Sequence, residues 1–216
     1  MNIRIMLVLM FFTTGVVRGQ GVKFGVFFDP TITKLKSDVP DVLEKKARLG
    51  FDFGMSIDYY FAENYAFATG FSLFNTGGTL IYIEGIENFR IIDKNVKINP
   101  NTPIKYNIQY VKIPLGLKFK THRIGRMIYF VNAGLDAMVR ASANADYDKE
   151  EQADVKKEIK LFNFGGHFGG GVAYSLGGEA AVFGGFAYMK TFSDTTVPSH
   201  DKITSDNFLL RLGIMF

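Results

Sequence analysis

The chain has no cysteine among its 216 residues, which excludes both a disulfide framework and a lipid-anchored cysteine. Beyond its first residues it also has no apolar run long enough for a membrane helix. Neither sign of charge predominates, since the chain has 25 Lys and Arg and 21 Asp and Glu, a formal net charge of +4. An excess this small gives no reason to expect a nucleic-acid partner. The chain has the length of about one domain. Its hydrophobic content of 47% must have a reason other than a membrane helix.

Large apolar side chains alternate with small or polar ones. Residues 49–61 read L-G-F-D-F-G-M-S-I-D-Y-Y-F, so a strand here has one bulky apolar face and one face of Gly, Asp and Ser. The pattern predicts an all-β fold, a closed antiparallel up-and-down transmembrane β-barrel of about eight strands. The predicted strands are Val22 to Asp29, Arg48 to Phe61, Tyr65 to Phe74, Tyr110 to Phe119, Met127 to Ala141, Leu161 to Tyr174, Glu179 to Met189 and Asn207 to Phe216.

The predicted connections alternate between long and short along the whole chain. Outer-membrane barrels have short periplasmic turns and longer external loops. An even number of strands then places both termini in the periplasm of a Gram-negative bacterium. The long connections span residues 29–47, 75–109, 142–160 and 190–206, and the short ones span 62–64, 120–126 and 175–178.

A soluble lipid-binding barrel with an apolar interior is the main alternative, because alternation does not reveal which face is inside. The glycines favour the membrane protein, since a narrow barrel needs small residues where its strands crowd together. On a watery exterior these glycines would weaken the strands without benefit. Those on the face opposite the bulky one are Gly25, Gly50, Gly54, Gly70, Gly116, Gly134, Gly165, Gly169, Gly171, Gly185 and Gly213.

The N-terminus has the pattern of an export signal. Arg4 lies in a short positive start, residues 5–12 are apolar, and Gln20 follows a suitable cleavage site. We expect a signal peptide over residues 1–19 and a barrel domain over residues 20–216. Removal of Arg4 and Arg18 leaves 23 basic and 21 acidic residues, a net charge near +2.

Strand parity places charged residues of both signs in the lumen. Because a selective pore tends to carry rings of one sign, a mixed set predicts paired charges that fill the barrel. We expect Arg211 to bond Asp52 or Asp136. The expected structural network consists of Arg48, Asp52, Asp58, Lys112, Asp136, Arg140, Glu179 and Arg211, and parity also turns Lys23, Asp29 and Lys118 inward.

Two further residues depart from a plain strand pattern. Pro114 lies inside a predicted strand and lacks an N–H, so we expect a bulge or local bend there. Phe216 is an aromatic last residue on the lipid face, and we interpret it as an insertion signal for the barrel-assembly machinery.

The sequence shows no recognisable catalytic or metal site. His122 falls in a short turn, His167 in the lumen and His200 in the last long loop, and no two of them have metal-ligand spacing. Neighbouring side chains in Ser199-His200-Asp201 point apart, so they do not form a catalytic triad. We therefore expect no enzyme, cofactor or metal, while an outer-membrane enzyme active at the barrel rim remains an alternative.

Several segments together resemble the PorT-like outer-membrane β-barrel proteins of Bacteroidetes. These are Tyr110 to Lys118 with its Ile-Pro-Leu-Gly core, Phe67 to Gly78 with its glycine ending, Phe162 to Tyr174, and Leu210 to Phe216. The resemblance implies a small outer-membrane barrel without catalytic residues. Some members of that family serve type IX protein secretion, so the resemblance also implies this role as an alternative.

The leading functional hypothesis is an integral outer-membrane barrel with a packed lumen, serving a structural, assembly or surface-interaction role. The alternatives are a PorT-type secretion component, and then an outer-membrane enzyme or soluble lipid carrier. Expected partners are outer-membrane lipid and lipopolysaccharide, the barrel-assembly machinery during insertion, and other envelope or secretion proteins.

Overall fold

The computed structural model describes residues 21–38, 41–91, 95–148, 150–196 and 202–216. The expected signal peptide lies outside these residues. None of the described residues belongs to a helix that is long and apolar enough to cross a membrane. The described strands are β1 Val22–Ser37, β2 Val42–Lys46, β3 Arg48–Ala62, β4 Tyr65–Tyr82, β5 Ile86–Arg90, β6 Asn95–Ile98, β7 Pro103–Lys120, β8 Met127–Tyr147, β9 Glu150–Asp154, β10 Phe162–Gly177, β11 Ala180–Thr191 and β12 Ile203–Met215.

Eight of these strands close into an antiparallel barrel, which confirms the predicted fold. Their order around the barrel is β1, β3, β4, β7, β8, β10, β11 and β12, and β12 pairs back onto β1. Of the others, β2 pairs with β4, β9 pairs with β8, and β5 and β6 form a separate hairpin. The chain end takes part in closure, because Phe24 and Phe216 exchange two backbone hydrogen bonds of 2.9 and 2.8 Å.

The strands are strongly tilted. Following paired residues once around the barrel from Val22 leads to Ile32, ten residues further along β1. With ordinary strand spacings, a shift of ten residues over eight strands corresponds to a tilt of about 40°. A barrel of this size has an interior just wide enough for side chains.

The structure confirms which face of the strands is outside. Along β7, Ile113, Leu115 and Leu117 are 44%, 58% and 40% exposed. Lys112, which alternates with them, is buried in the lumen. The same alternation exposes large apolar side chains around the whole barrel, as expected for a wall that faces lipid.

Glycines lie inside where neighbouring strands approach most closely. Gly116 is directly paired with Gly134, and Gly171 with Gly185. A Cβ added to Gly134 or Gly185 would lie 2.6 Å from the Cα of its glycine partner. These positions therefore admit no side chain without moving backbone, in agreement with the crowding inferred from the sequence.

The long-loop end of the barrel, where the four long connections lie, is taller than predicted. β1 continues to Ser37, β4 to Tyr82 and β8 to Tyr147, while β7 already begins at Pro103. Parts of the expected long loops are therefore strand. Of these parts, residues 79–84 have the sequence expected of a strand extension, and β4 does continue through Tyr82. These extensions invert the pattern of the lower barrel, because their apolar residues point inward and their polar residues outward.

β7 shows this inversion within one strand. Ile104, Tyr106, Ile108 and Tyr110 are buried inside, whereas below Tyr110 the apolar residues are on the outer face, beginning with Val111. Even-numbered residues face inward along the whole strand. The surroundings of the strand therefore change, while its geometry stays the same. The apolar surroundings of the barrel wall therefore end near Tyr110 and Val111.

No register shift marks a bulge at Pro114, where we expected a bulge or local bend. The β4–β7 pairing lacks two residue pairs between Thr69–Leu115 and Ser72–Lys112 and resumes in the same register. Thr69 Oγ1 donates to the Pro114 carbonyl oxygen at 2.9 Å. The interruption thus absorbs the missing N–H without an extra residue, while a real register shift lies higher, between Gln109 and Tyr110.

Candidate functional site: the closed lumen

A layer of charged side chains crosses the middle of the lumen. Asp29, Asp52, Lys112, Asp136, His167 and Arg211 all line one internal cavity of about 70 Å³. Such a cavity has room for only a few water molecules. Asp29 and Asp52 are directly opposite each other on β1 and β3, and two like charges in that position require separate cationic partners.

Three cations in the lumen each contact one carboxylate and one aromatic ring. Lys112 bonds Asp52 and lies 5.1 Å from the centre of the Phe74 ring. Lys118 bonds Asp58 at 2.5 Å and lies 4.8 Å from the Phe130 ring centre. The two contacts compensate the cost of removing an ammonium group from water.

Arg211 forms the third such unit, but not with either of its expected partners. Its Nε donates to Asp29 Oδ2 at 3.3 Å, and its guanidinium lies 5.7 Å from the Phe27 ring centre. Asp52 and Asp136 have other partners, so the expected Arg211 pairing with either of them was wrong. The cause is the closing seam, which brings β12 beside β1.

Asp29 also repairs the backbone ladder at this seam. The β1–β12 pairing is interrupted between Phe27–Gly213 and Thr31–Leu209, next to Pro30, which has no N–H. The Leu212 N–H instead donates to Asp29 Oδ1 at 3.0 Å. The Asp29 carboxylate therefore bonds both a buried cation and a backbone N–H that has no partner in the interrupted ladder.

Asp136 has a histidine as its partner. His167 Nδ1 lies 3.0 Å from both carboxylate oxygens of Asp136, and the Asp136 side chain is almost completely buried. This contact gives the polar ring of the lumenal histidine a bonding partner inside the barrel. In the described part of the chain, no group of three or more His, Cys, Asp or Glu is arranged to hold a metal ion.

The remaining residues of the expected network lie apart from this layer. Arg48 donates to the Tyr106 carbonyl at 3.0 Å. Arg140 donates to the backbone carbonyls of Lys156 and Ile159, so it holds the β8–β10 connection rather than a carboxylate. Glu179 is a further correction, because its side chain is 80% exposed at the end of the barrel and contacts Lys23 at 3.3 Å.

Apolar side chains close the lumen on both sides of the charged layer. Towards the long-loop end, a core of buried residues includes Phe74, Ile108, Tyr110, Met138 and Ile159. At the opposite, short-turn end, where the three short turns lie, a second cluster consists of Phe27, Phe130, Ala173, Ala181, Phe183 and Met215. The charges are therefore enclosed between two apolar layers.

Other residues singled out in the sequence lie outside the lumen. His122 contacts Glu63 at 3.1 Å in a short turn, and Phe216 is 53% exposed on the outer wall. His200 lies outside the described residues.

Above the membrane-facing wall, the backbone N–H of Gln152 donates to Asp146 and holds the pKa of that carboxyl below its ordinary value.

The Asp29–Arg211 pair yields a stability prediction. Arg211→Ala should lower the free energy of unfolding by about 3–5 kcal/mol, because it leaves the buried Asp29 carboxylate without its cation. Adding Asp29→Asn should recover part of that loss. The free energy is obtained from urea unfolding in detergent micelles, followed by circular dichroism.

Lys97→Ala is the matched control, since Lys97 and Glu87 form an exposed pair at 2.6 Å. Removing that pair should change the unfolding free energy by less than about 1 kcal/mol. Equal losses for the Arg211 and Lys97 variants would show that the lumenal pair contributes no more than a surface pair.

A family model identifies the family of this chain, and solved structures share its fold. The model of the outer membrane protein beta-barrel domain matches residues 18–208. Neisserial surface protein A has a similar structure, with a TM-score of 0.52, 15% identity, and coverage of 91% of this chain and 98% of that protein. OprG from Pseudomonas aeruginosa follows with a TM-score of 0.49, 12% identity, and coverage of 89% and 94%.

No curated protein has a significantly similar sequence. At 15% identity, the likeness to the Neisserial protein shows the shared barrel fold alone. The family model covers most of the chain and agrees with the outward apolar wall and the closed eight-strand sheet. The chain therefore belongs to the outer membrane β-barrel domain family.

Proposed function

We propose that this protein is a non-conducting outer-membrane barrel with a structural, assembly or surface-interaction role. The observation that carries the proposal is the closure of the lumen. Three ion pairs and the His167–Asp136 contact occupy its middle, with a cavity of only about 70 Å³. An aqueous diffusion path needs a continuous opening, and the two apolar clusters occupy the space that such an opening would need.

The proposed role places its interactions on the ends of the barrel. At the long-loop end, the hairpin of β5 and β6 packs onto the barrel extensions, where Phe89 contacts the rings of Tyr106 and Tyr147. A loop held by such contacts keeps a defined surface. Lipopolysaccharide and envelope proteins are the partners that an external surface of this kind would meet.

Conductance measurements test the closed lumen. Purified protein reconstituted in planar lipid bilayers should give no stepwise current across a range of voltages, because no water-filled path crosses the charged layer. A general porin inserted under the same conditions is the positive control. Reproducible unitary steps from this protein would contradict the proposal.

We also propose that the short-turn end and both chain termini face the periplasm. Support comes from the lengths of the connections, since outer-membrane barrels have short periplasmic turns. The aromatic side chains around the turn between β3 and β4 also suit an interfacial girdle. There, Phe61 lies 4.7 Å from Phe67 and Tyr65 lies 5.3 Å from Phe119, measured between ring centres.

The absence of native cysteine makes this orientation easy to measure. A membrane-impermeant maleimide should label Asn99→Cys on intact cells, since residue 99 is exposed at the long-loop end. Glu63→Cys, exposed in a short turn, should be labelled only after the outer membrane is opened. The reverse labelling order would contradict the proposed orientation.

A component of type IX protein secretion is the second candidate function. It is favoured by the PorT-like strand from Tyr110 to Lys118, which runs through the charged layer and contributes both Lys112 and Lys118. Deletion of the gene distinguishes the two candidates. Loss of exported protease activity would support the secretion role, whereas unchanged export would support a role outside secretion.

A further inference from the structure

The mouth of the barrel at the short-turn end contains a pocket that the closed lumen does not explain. Its volume is about 100 Å³. Lys23, Lys120, Arg123 and Glu179 line its rim, and Phe130 and Met215 lie on its apolar floor. We call this site the mouth pocket. Phe130 and Lys118 also line the lumenal cavity, so these two side chains lie between the mouth pocket and the charged layer.

The charge of the mouth pocket is unbalanced. Its lining includes Lys23, Lys118, Lys120 and Arg123 but only one carboxylate, that of Glu179. Lys118 is already paired with Asp58 at 2.5 Å, and Lys23 contacts Glu179 at 3.3 Å. Within the described residues, neither Lys120 nor Arg123 takes part in a salt bridge.

Lys120 resembles an incomplete version of the units in the lumen. Its Nζ lies 4.1 Å from the centre of the Tyr60 ring. Lys112, Lys118 and Arg211 each have such a ring and also a carboxylate. Among the described residues Lys120 has the ring but no salt-bridge partner, and it lines the mouth pocket.

We propose that an external oxyanion completes this fourth unit: the mouth pocket binds a phosphate or carboxylate group on a short apolar stem. Lys120 and Arg123 are the residues that contact the oxyanion. The stem packs on Phe130 and Met215. Ammonium and guanidinium groups form strong charge-assisted hydrogen bonds with such anions, and the partly enclosed site weakens the screening of these contacts by salt.

Glu179 provides a further expectation of opposite sign. Its exposed carboxylate contacts Lys23 at the rim and adds a negative charge beside the proposed ligand. Removing that charge should strengthen anion binding, whereas removing a cation should weaken it. A merely nonspecific loss of structure would not produce effects of both signs.

The experiment is a titration of the full chain in uncharged detergent micelles, followed by phosphorus NMR. The probes are n-butyl phosphate and inorganic phosphate. Wild-type protein should bind butyl phosphate saturably and more tightly than inorganic phosphate. Lys120→Gln and Arg123→Gln should each weaken binding about ten-fold, as expected for loss of one hydrogen bond to a charged group. Glu179→Gln should bind more tightly.

Lys105→Gln is the control, because Lys105 is exposed at the long-loop end and contacts Asp146 at 3.4 Å. It should bind as the wild type does. Arg123 is exposed in a turn, so its variant tests the site even if Lys120→Gln fails to fold. Absence of saturable binding, or equal effects of Arg123→Gln and Lys105→Gln, would overturn the site. Equal affinity for both probes would overturn the apolar stem.

The proposed orientation adds that the mouth pocket opens to the periplasm, so the ligand would be a periplasmic molecule. Binding in micelles does not depend on that orientation, because both ends of the barrel are accessible there. A conducting lumen or reversed labelling would therefore leave the binding result intact, and failure of binding would leave the closed barrel intact.

Discussion

The structure depends on one constraint: in hydrocarbon, every backbone N–H and C=O must be bonded within the protein. A closed sheet meets this constraint, and it forces each strand to present one face to lipid and the other to a narrow lumen. Most bulky apolar residues of the lower strands, such as Leu115, then lie outside. Inside, Gly116 and Gly134 allow the strands to approach. The two places where proline interrupts the ladder are managed locally, by the Thr69 hydroxyl and by the Asp29 carboxylate.

The lumen shows how a small barrel holds paired charges in its interior. An isolated buried charge is very costly, and Lys112, Lys118 and Arg211 each have both a carboxylate and an aromatic ring. These contacts leave little space, and the apolar layers on either side separate them from bulk water. The same chemistry connects the structural role of the lumen with the proposed ligand site, since Lys120 has the aromatic contact but no carboxylate partner among the described residues.

The sequence predicts much of this fold because the membrane imposes a simple pattern. Eight strands, the facing of their side chains and the glycine-lined interior all follow from alternation in the lower barrel. The extension of β7 was missed because its polarity is inverted: Ile104, Tyr106 and Ile108 alternate as regularly as the lower strands, but on the inner face. That inversion was the available signal. The partner of Arg211 could not be read in this way, because it depends on the ten-residue shift with which β12 meets β1.

Spin labels along the outer face of β7 test the membrane position most directly. Labels introduced at alternate positions from Lys105 to Phe119 can be compared for collisions with oxygen, which concentrates in lipid, and with a water-soluble nickel complex. The account predicts that nickel collisions dominate at residues 105, 107 and 109 and that oxygen collisions dominate at 113, 115 and 117, with the change near Val111. Nickel access that is equally high along the whole strand would contradict a lipid-facing apolar wall.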